Sequence, residues 1–177
     1  MAVDEGAIVV SELVIWTSTG SNYMTGEAET SGENGGNFRV IAAQWPADEK
    51  KLYAVRYQVF VVEQHVPEDQ EWVGDDDQFS AVLAVDQNQQ PIGTGRISAA
   101  GVIGRMAVLK EWRGKGVGSA ILDKLIQLGV ESGRQQFSLS AQLHAVPFYA
   151  ARGFVAEGPV YLDAGIEHRS MKHAVGE

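Results

Sequence analysis

The chain has 177 residues, no cysteine and a formal charge of −9, which allows one domain with a sizeable core and excludes disulfides, thiolate nucleophiles and zinc–thiolate or iron–sulfur sites. The negative charge argues against nucleic acid as a partner, because that affinity comes mostly from Lys and Arg, and it favours a cationic substrate. The apolar stretches Ala7–Val10 and Leu13–Trp16 are too short to span a bilayer and lack a basic leader, so we expect a cytoplasmic protein without a membrane partner.

Residues 1–37 are predicted to form a flexible N-terminal extension. The part from Thr17 to Asn37 consists mainly of Ser, Thr, Gly, Glu and Asn, a composition that cannot bury enough apolar surface to offset its ordering entropy. Two alternatives stay open: Leu13–Trp16 could dock on the domain, or the stretch before Met24 could be an addition that the protein does not need. Residues 38–177 are predicted to form the functional domain.

The first globular elements are a strand and a helix. The strand is predicted over Phe38–Ala43, and the helix follows Asp48, a candidate N-cap. We expect Pro67 to end the helix, with Arg56 away from its apolar stripe. The stripe consists of Leu52, Val55, Val59 and Val62.

The stretch from Pro67 to Asp77 holds six acids. They could attract a cationic amine or a metal, but their spacing does not match the EF-hand pattern. The sequence therefore favours a solvated loop, in which Trp72 either covers an acceptor pocket or anchors the loop. The acids are Glu68, Asp69, Glu71, Asp75, Asp76 and Asp77.

The rest of the chain alternates between strand and helix patterns. The predicted strands are Phe79–Val85, Ile92–Ala99, Val102–Leu109, Phe137–Ala141, Val155–Leu162 and His168–Val175. The predicted helices are Ser119–Val130, with Gly133 as its stop, and Ala145–Ala151, with Gly153 as its stop. This order predicts an α+β domain: a largely antiparallel mixed sheet flanked by helices, with one strand–helix–strand unit from Val102 to Ala141.

A glycine-rich turn joins the strand and the helix of that unit. Gly114, Gly116 and Gly118 would let the backbone and the first helical amides approach an anion, and Arg113 and Lys115 could pair with phosphate oxygens. A turn that only packs helix against strand remains an alternative. The Rossmann and Walker A patterns fit poorly, because Ser119 replaces the third glycine and Gly114-Lys115 is followed by Gly116.

The turn resembles the fingerprint of the GNAT N-acetyltransferases, which is Gln or Arg, two residues, Gly, one residue, then Gly or Ala. Residues 113–118 match it fully. The strand Ile103–Leu109 is similar to the family's cofactor-facing strand, and Ala145–Phe154 to its A-x-x-F-Y-x-x-x-G-F helix. Three further segments resemble the ElaA-like branch: Val59–Gln64, Gln142–Ala145 and Gly165–His168. One departure is Gln142, where the family often carries Asn; the longer amide could still reach the cofactor.

The resemblance, over about residues 38–177, implies direct transfer of an acetyl group from acetyl-CoA to an amine of a small molecule or peptide, without a metal. It implies that the backbone of Met106–Val108 pairs with pantetheine and supplies an N–H to the oxyanion, while amides of residues 114–119 bind the pyrophosphate. The expected cofactor contacts are Met106, Ala107, Val108, Arg113, Gly114, Lys115, Gly116, Val117, Gly118, Ser119 and Gln142.

Three residues are candidates for catalysis. Tyr149 occupies the family's general-acid position, although a tyrosine there could also only pack the helix on the sheet. Glu63 could accept the proton of the amine, or be a solvated helix-end glutamate. His144 could act as a base or contact substrate, or be merely exposed. His168 has weaker support, and His65 and His173 have none beyond residue type.

Two other functions stay open from the sequence. The first is a catalytically silent acyl-CoA-binding sensor or scaffold, and the second is an interaction domain without nucleotide. A homodimer through a sheet edge is also possible.

Overall fold

The computed structural model describes residues 37–72 and 74–176. Except for Asn37, the predicted extension lies outside the described residues. Within them, one sheet has seven strands in the order β1-β2-β3-β4-β5-β7-β6. The strands are β1 (Phe38–Ala42), β2 (Ser80–Asp86), β3 (Pro91–Ile97), β4 (Val102–Val108), β5 (Gln136–Gln142), β6 (Val155–Asp163) and β7 (Ile166–Ala174).

All neighbouring strands are antiparallel except β4 and β5, which run parallel. The helices are α1 (Glu49–Arg56), which continues as a π-helix (Tyr57–Glu63), α2 (Glu68–Glu71), α3 (Val117–Glu131) and α4 (Val146–Ala150). Short 3-10 turns occur at Asp76–Gln78, Lys110–Trp112 and Leu143–Ala145. The predicted α+β class, with its mixed sheet and one strand–helix–strand unit, is confirmed.

The two faces of the sheet carry separate apolar clusters. Val55, Val59 and Phe60 from α1 and the π-helix pack against Ala107 of β4 on one face. On the other face Ile121, Leu122 and Leu125 of α3 join the cluster that contains Met106 and Tyr149. Because side chains alternate along a strand, Met106 and Ala107 serve opposite faces.

The predicted apolar stripe after Asp48 is correct for Leu52, Val55 and Val59, which are buried, and wrong for Val62. The α-helix passes into a π-helix at Tyr57, whose longer i→i+5 hydrogen-bond spacing changes the phase of the side chains. Val59 is therefore buried while Val62 is 45% exposed. Asp48 precedes α1 without a side-chain capping bond; its carboxylate accepts instead from the Gln44 amide at 3.0 Å.

The prediction of a solvated acidic loop is wrong for two of its residues. Glu71 is 0% exposed and Asp76 is 8% exposed, because both carboxylates pair with buried arginines. Arg56, which we expected away from the core, binds both of them, and its Nη1 lies 2.6 Å from an Asp76 oxygen. Arg96 of β3 reaches Asp76 at 3.0 Å, and Arg105 of β4 reaches Glu71 at 3.2 Å.

Trp72 anchors this loop, which was one of its two predicted roles. Its ring lies 4.0 Å from that of Tyr53, centroid to centroid, and the Arg56 guanidinium lies 4.7 Å from the Trp72 ring.

The glycine turn and α3 follow β4 as predicted, although α3 begins at Val117, two residues before the predicted start. Gly116 precedes the helix with a left-handed φ of 83°. Beyond the other end of α3, Gly133 has a φ of 82° and donates to the Val130 carbonyl at 2.8 Å, which confirms the predicted stop.

Candidate active site

A cavity of about 330 Å³ lies where β4 meets the glycine turn and the start of α3. Its lining residues come from one strand, the glycine turn and two helices: Met106, Ala107 and Val108 of β4, Arg113, Gly114 and Gly116 of the turn, Gly118 and Ser119 of α3, and Phe148 of α4. The cavity thus joins a strand edge to a helix N-terminus.

The turn presents bare backbone to the cavity. Gly114 has a φ of 68° and Gly116 a φ of 83°, and a Cβ atom built on either would meet no other atom within 4 Å. Both conformations are costly for residues other than glycine. A side chain at either position would project into space that an anionic ligand could otherwise use.

The first turn of α3 supplies the donors for such an anion. The amides of Val117, Gly118 and Ser119 precede the first intrahelical bond, which Ala120 makes to the Gly116 carbonyl at 3.0 Å. They carry the partial positive charge of the helix N-terminus. Because Gly118 and Ser119 line the cavity, this end of the helix fits a phosphate group.

The β4 side of the cavity is an edge that β5 leaves open. β5 pairs with β4 only at Val102↔Ser138 and Ile103↔Leu139, and the two strands separate after that. A β-bulge opposite β3 coincides with Arg105, whose φ is 50°. The backbone of Met106–Val108 therefore lies at a gap in the sheet, where an extended ligand could add to it as a strand does.

Three of the predicted cofactor contacts are not among the cavity-lining residues. The Lys115 ammonium lies 5.1 Å from the centroid of the Trp112 ring, and Val117 is 1% exposed in the core. Gln142 is 2% exposed, and its amide donates to the Gln64 side-chain oxygen at 2.9 Å.

Arg113 connects the cavity to the end of the π-helix. Its Nε donates to the Val108 carbonyl at 3.1 Å, and its Nη2 donates to a Glu63 carboxylate oxygen at 3.1 Å. Burial raises the pKa of Glu63, and the charge of Arg113 opposes that increase. Burial likewise lowers the pKa of Arg113, against the opposing charge of Glu63. Glu63 thus lies beside the cavity as one half of a partly buried ion pair.

Tyr149 lies behind the cavity wall. It is 0% exposed, and its hydroxyl donates to the Met106 sulfur at 3.6 Å. Its ring packs edge-on against Phe148 at 4.9 Å and Phe154 at 5.9 Å, centroid to centroid. Burial raises the pKa of the phenol well above its ordinary value, so the hydroxyl keeps its proton at neutral pH. Met106, which it contacts, lines the cavity, whereas Tyr149 is not among the lining residues.

The four histidines differ in exposure. His144 is exposed in the 3-10 turn between β5 and α4, and His65 is exposed after the π-helix. His173 contacts the Gly153 carbonyl at 3.1 Å. His168 is 0% exposed.

Two features went unnoticed in the sequence. Phe148 lines the cavity, and it could have been found because it neighbours Tyr149 on a short helix whose successive residues point in different directions. The Gln64–Gln142 contact joins residues 78 positions apart, and no local pattern indicates it.

The described residues contain no group of three or more His, Asp or Glu placed to hold a metal ion. No helix in the same part of the chain combines the length and the apolar character needed to cross a membrane.

Comparison with known proteins gives one family. A family model described as an acetyltransferase (GNAT) domain matches residues 43–175. N-acetyltransferase YjcF of Bacillus subtilis is 37% identical over 126 residues, which cover 69% of this chain and 89% of YjcF. Protein ElaA of Escherichia coli is 30% identical over 145 residues, which cover 71% of this chain and 88% of ElaA.

Solved structures give the same result. An acyl-CoA N-acyltransferase from Pseudomonas aeruginosa superposes with a TM-score of 0.68 at 28% identity, covering 79% of this chain and 100% of that protein. The crystal structure of Escherichia coli ElaA superposes with a TM-score of 0.67 at 26% identity, covering 77% of this chain and 98% of ElaA.

Proposed function

Since the chain belongs to the GNAT acetyltransferase family and is an acyltransferase, we propose that it transfers an acetyl group from acetyl-CoA directly to an amine of a small molecule or peptide. The resemblance of the sequence to this family and to its ElaA-like members is confirmed by the matches. The identity of the acyl group and of the acceptor is part of the proposal.

The cavity between β4 and α3 carries the proposal. Its glycine backbone and the amides of Val117–Ser119 fit the pyrophosphate, and the open edge at Met106–Val108 fits the pantetheine arm. When bound there, acetyl-CoA supplies the reactive thioester. Arg113, which also lines the cavity, adds a positive charge for the phosphates.

Two residues would manage the protons. Glu63 accepts the proton that the amine loses as the carbon–nitrogen bond forms, and Arg113 holds the carboxylate in place. Tyr149 donates its proton to the sulfur as the carbon–sulfur bond breaks, after the Met106 side chain moves from its hydroxyl. His144, exposed beyond the carboxyl end of β5, is proposed only as a contact for the acceptor.

The remaining assignments are also proposals. We assign residues 1–37 to an extension and residues 38–177 to the catalytic domain, and the family match over 43–175 supports the second. We place the protein in the cytoplasm. A homodimer could form along β6, where Val155 is 68% exposed and Leu162 is 70% exposed.

The test combines two measurements on the full chain. Calorimetry should detect binding of CoA, and release of free thiol from acetyl-CoA should depend on an added amine. Binding of CoA without thiol release across a broad amine panel would favour a silent sensor or scaffold. Failure to bind CoA would contradict the proposal altogether.

A further inference from the structure

Four polar side chains form a row across β5, β7 and β6. The register places Gln142 of β5 opposite His168 of β7, and His168 opposite Tyr161 of β6. Residues that are directly opposite in a sheet point to the same face, and Ser140 shares that face because it lies two residues before Gln142. We call Ser140, Gln142, His168 and Tyr161 the polar row.

The polar row faces the side of the sheet on which the π-helix ends. Gln142 binds Gln64, the residue after Glu63, at 2.9 Å. Ile166, two residues before His168, packs against the cluster formed by the π-helix. The opposite face of β5 and β7 carries Leu139 and Met171, which belong to the α3 core.

The polar row also borders the gap between β4 and β5. Ser140 and Gln142 follow the last β4–β5 pair, Ile103↔Leu139, so they lie along the part of β5 that β4 has left. Met106–Val108 lie on the other side of this gap and line the cavity. The row therefore lies across the gap from the strand proposed to hold the thioester.

His168 supplies a buried acceptor within the row. Its Nδ1 lies 2.8 Å from the Ile166 carbonyl, and since a carbonyl oxygen only accepts, Nδ1 carries the proton. Nε2 is buried and has no hydrogen-bond partner among the described residues. A buried polar atom without a partner carries a desolvation cost, which a ligand that donates to it would relieve.

The neighbours of His168 in the row are uncharged. The Tyr161 hydroxyl and the Ser140 hydroxyl bind each other, and Gln142 carries an amide. None of the four residues of the polar row is a carboxylate. Glu63, the proposed base, adds one carboxylate that is already paired with Arg113, so these residues do not offset several positive charges on a ligand.

We propose that the polar row is the acceptor site, that His168 Nε2 accepts a hydrogen bond from the incoming neutral amine, and that this amine carries hydroxyl or amide groups and is not a polycation. The inference rests on the proposed function. His168 is 0% exposed, so a side chain must move to admit the amine. We assign this movement to Tyr161, whose partly buried ring lies nearly parallel to the imidazole at 6.1 Å between centroids.

The experiment observes the imidazole directly. The full chain is labelled with ¹⁵N-histidine and saturated with CoA, which carries no acetyl group to transfer. It is then titrated with glucosamine, glycinamide or spermidine while the NMR spectrum is recorded. Glucosamine or glycinamide should shift the Nε2 resonance of His168 in a saturable manner, and spermidine should leave it in place. No shift with either of the first two compounds, or a saturable shift with spermidine, would overturn the proposal.

A variant separates recognition from structure. In His168→Asn the amide can still donate to the Ile166 carbonyl, but nothing replaces Nε2. We expect a rise of at least tenfold in KM for the reactive amine with KM for acetyl-CoA unchanged. If KM for the amine is the same in His168→Asn as in the unsubstituted protein, the result would contradict the proposal.

The variant also assigns the resonance; if it does not fold, Asn variants of His65, His144 and His173 assign it by elimination. If an amine shifts the Nε2 resonance of His168 but releases no thiol from acetyl-CoA, the result would contradict the proposed reaction and support the polar row as an amine-binding site.

Discussion

Arg113 and Glu63 lie 50 positions apart in the chain and form an ion pair at 3.1 Å beside the proposed cofactor cavity. The guanidinium belongs to the fingerprint turn, and the carboxylate ends the π-helix. The same guanidinium has further N–H donors for a phosphate in the cavity while its Nη2 stays with Glu63. Binding of the cofactor and the protonation of Glu63 are therefore linked through one side chain.

This link predicts a change in pH dependence. In Arg113→Gln, the burial that raises the pKa of Glu63 remains while the charge that lowers it is lost, so the pKa rises further. A general base acts in its deprotonated form. At saturating acetyl-CoA, the ascending limb of the kcat–pH profile should therefore move to higher pH.

Two controls accompany this profile. Glu63→Gln should abolish the limb and lower kcat by roughly 100-fold. Lys172→Gln removes a cation from an exposed pair on β7 and should leave the limb where it is. A limb that stays in place in Arg113→Gln would exclude Glu63 as the base.

Gly116→Asp should abolish binding of CoA. The residue has a φ of 83° and faces open space, so the substitution places a side chain and a negative charge where the pyrophosphate is proposed to bind. Repulsion between such charges should weaken affinity by more than about 100-fold, measured by calorimetry.

Gly133→Asp is the matched control for backbone strain and net charge. Its φ is 82°, and a Cβ there also meets open space, but the residue lies beyond the other end of α3. We expect a similar loss of stability with normal CoA affinity. If Gly116→Asp bound CoA as tightly as Gly133→Asp does, the phosphates would have to bind elsewhere.

Tyr149→Phe tests the proposed general acid. The hydrogen bond of the hydroxyl within the described residues is the weak one to the Met106 sulfur at 3.6 Å, so its loss should change the free energy of unfolding by no more than about 1 kcal/mol. We expect kcat to fall by roughly 100-fold while CoA affinity is unchanged.

Tyr57→Phe, at a residue 42% exposed, should leave both values unchanged. A normal kcat in Tyr149→Phe would mean that the tyrosine serves the core alone.

The sequence predicted best what depends on local pattern. The strands, α3 and its stop at Gly133 follow from periodicity and glycine positions, because these signals lie within one element. Most residues of the turn from Arg113 to Gly118 line the cavity, and the binding of an anion there stays a prediction.

Long-range pairing limited the rest. The sequence shows six acids in one stretch, but it does not show that Arg56, Arg96 and Arg105 come from a helix and two strands to meet them. The exposure of Val62 follows from a π-helix, which an apolar stripe alone cannot distinguish from an α-helix. The Gln64–Gln142 contact depends on the way the π-helix ends over β5.

Arg56→Met tests whether the buried ion cluster holds the acidic loop on the sheet. Arg56 is 2% exposed, and its removal leaves Glu71 paired with Arg105 and Asp76 paired with Arg96. Uncompensated buried charge of this kind should cost about 3–5 kcal/mol in the free energy of unfolding, measured by urea denaturation.

The double variant Arg56→Met/Glu71→Gln should recover part of this loss, since it removes one of the stranded charges together with its partner. Lys172→Met breaks an exposed pair with Glu157 and should cost less than about 1 kcal/mol. If Arg56→Met proved as mild as Lys172→Met, the buried arginine would contribute little to stability, and the position of α2 would have to depend on the stacking of Trp72 against Tyr53 instead.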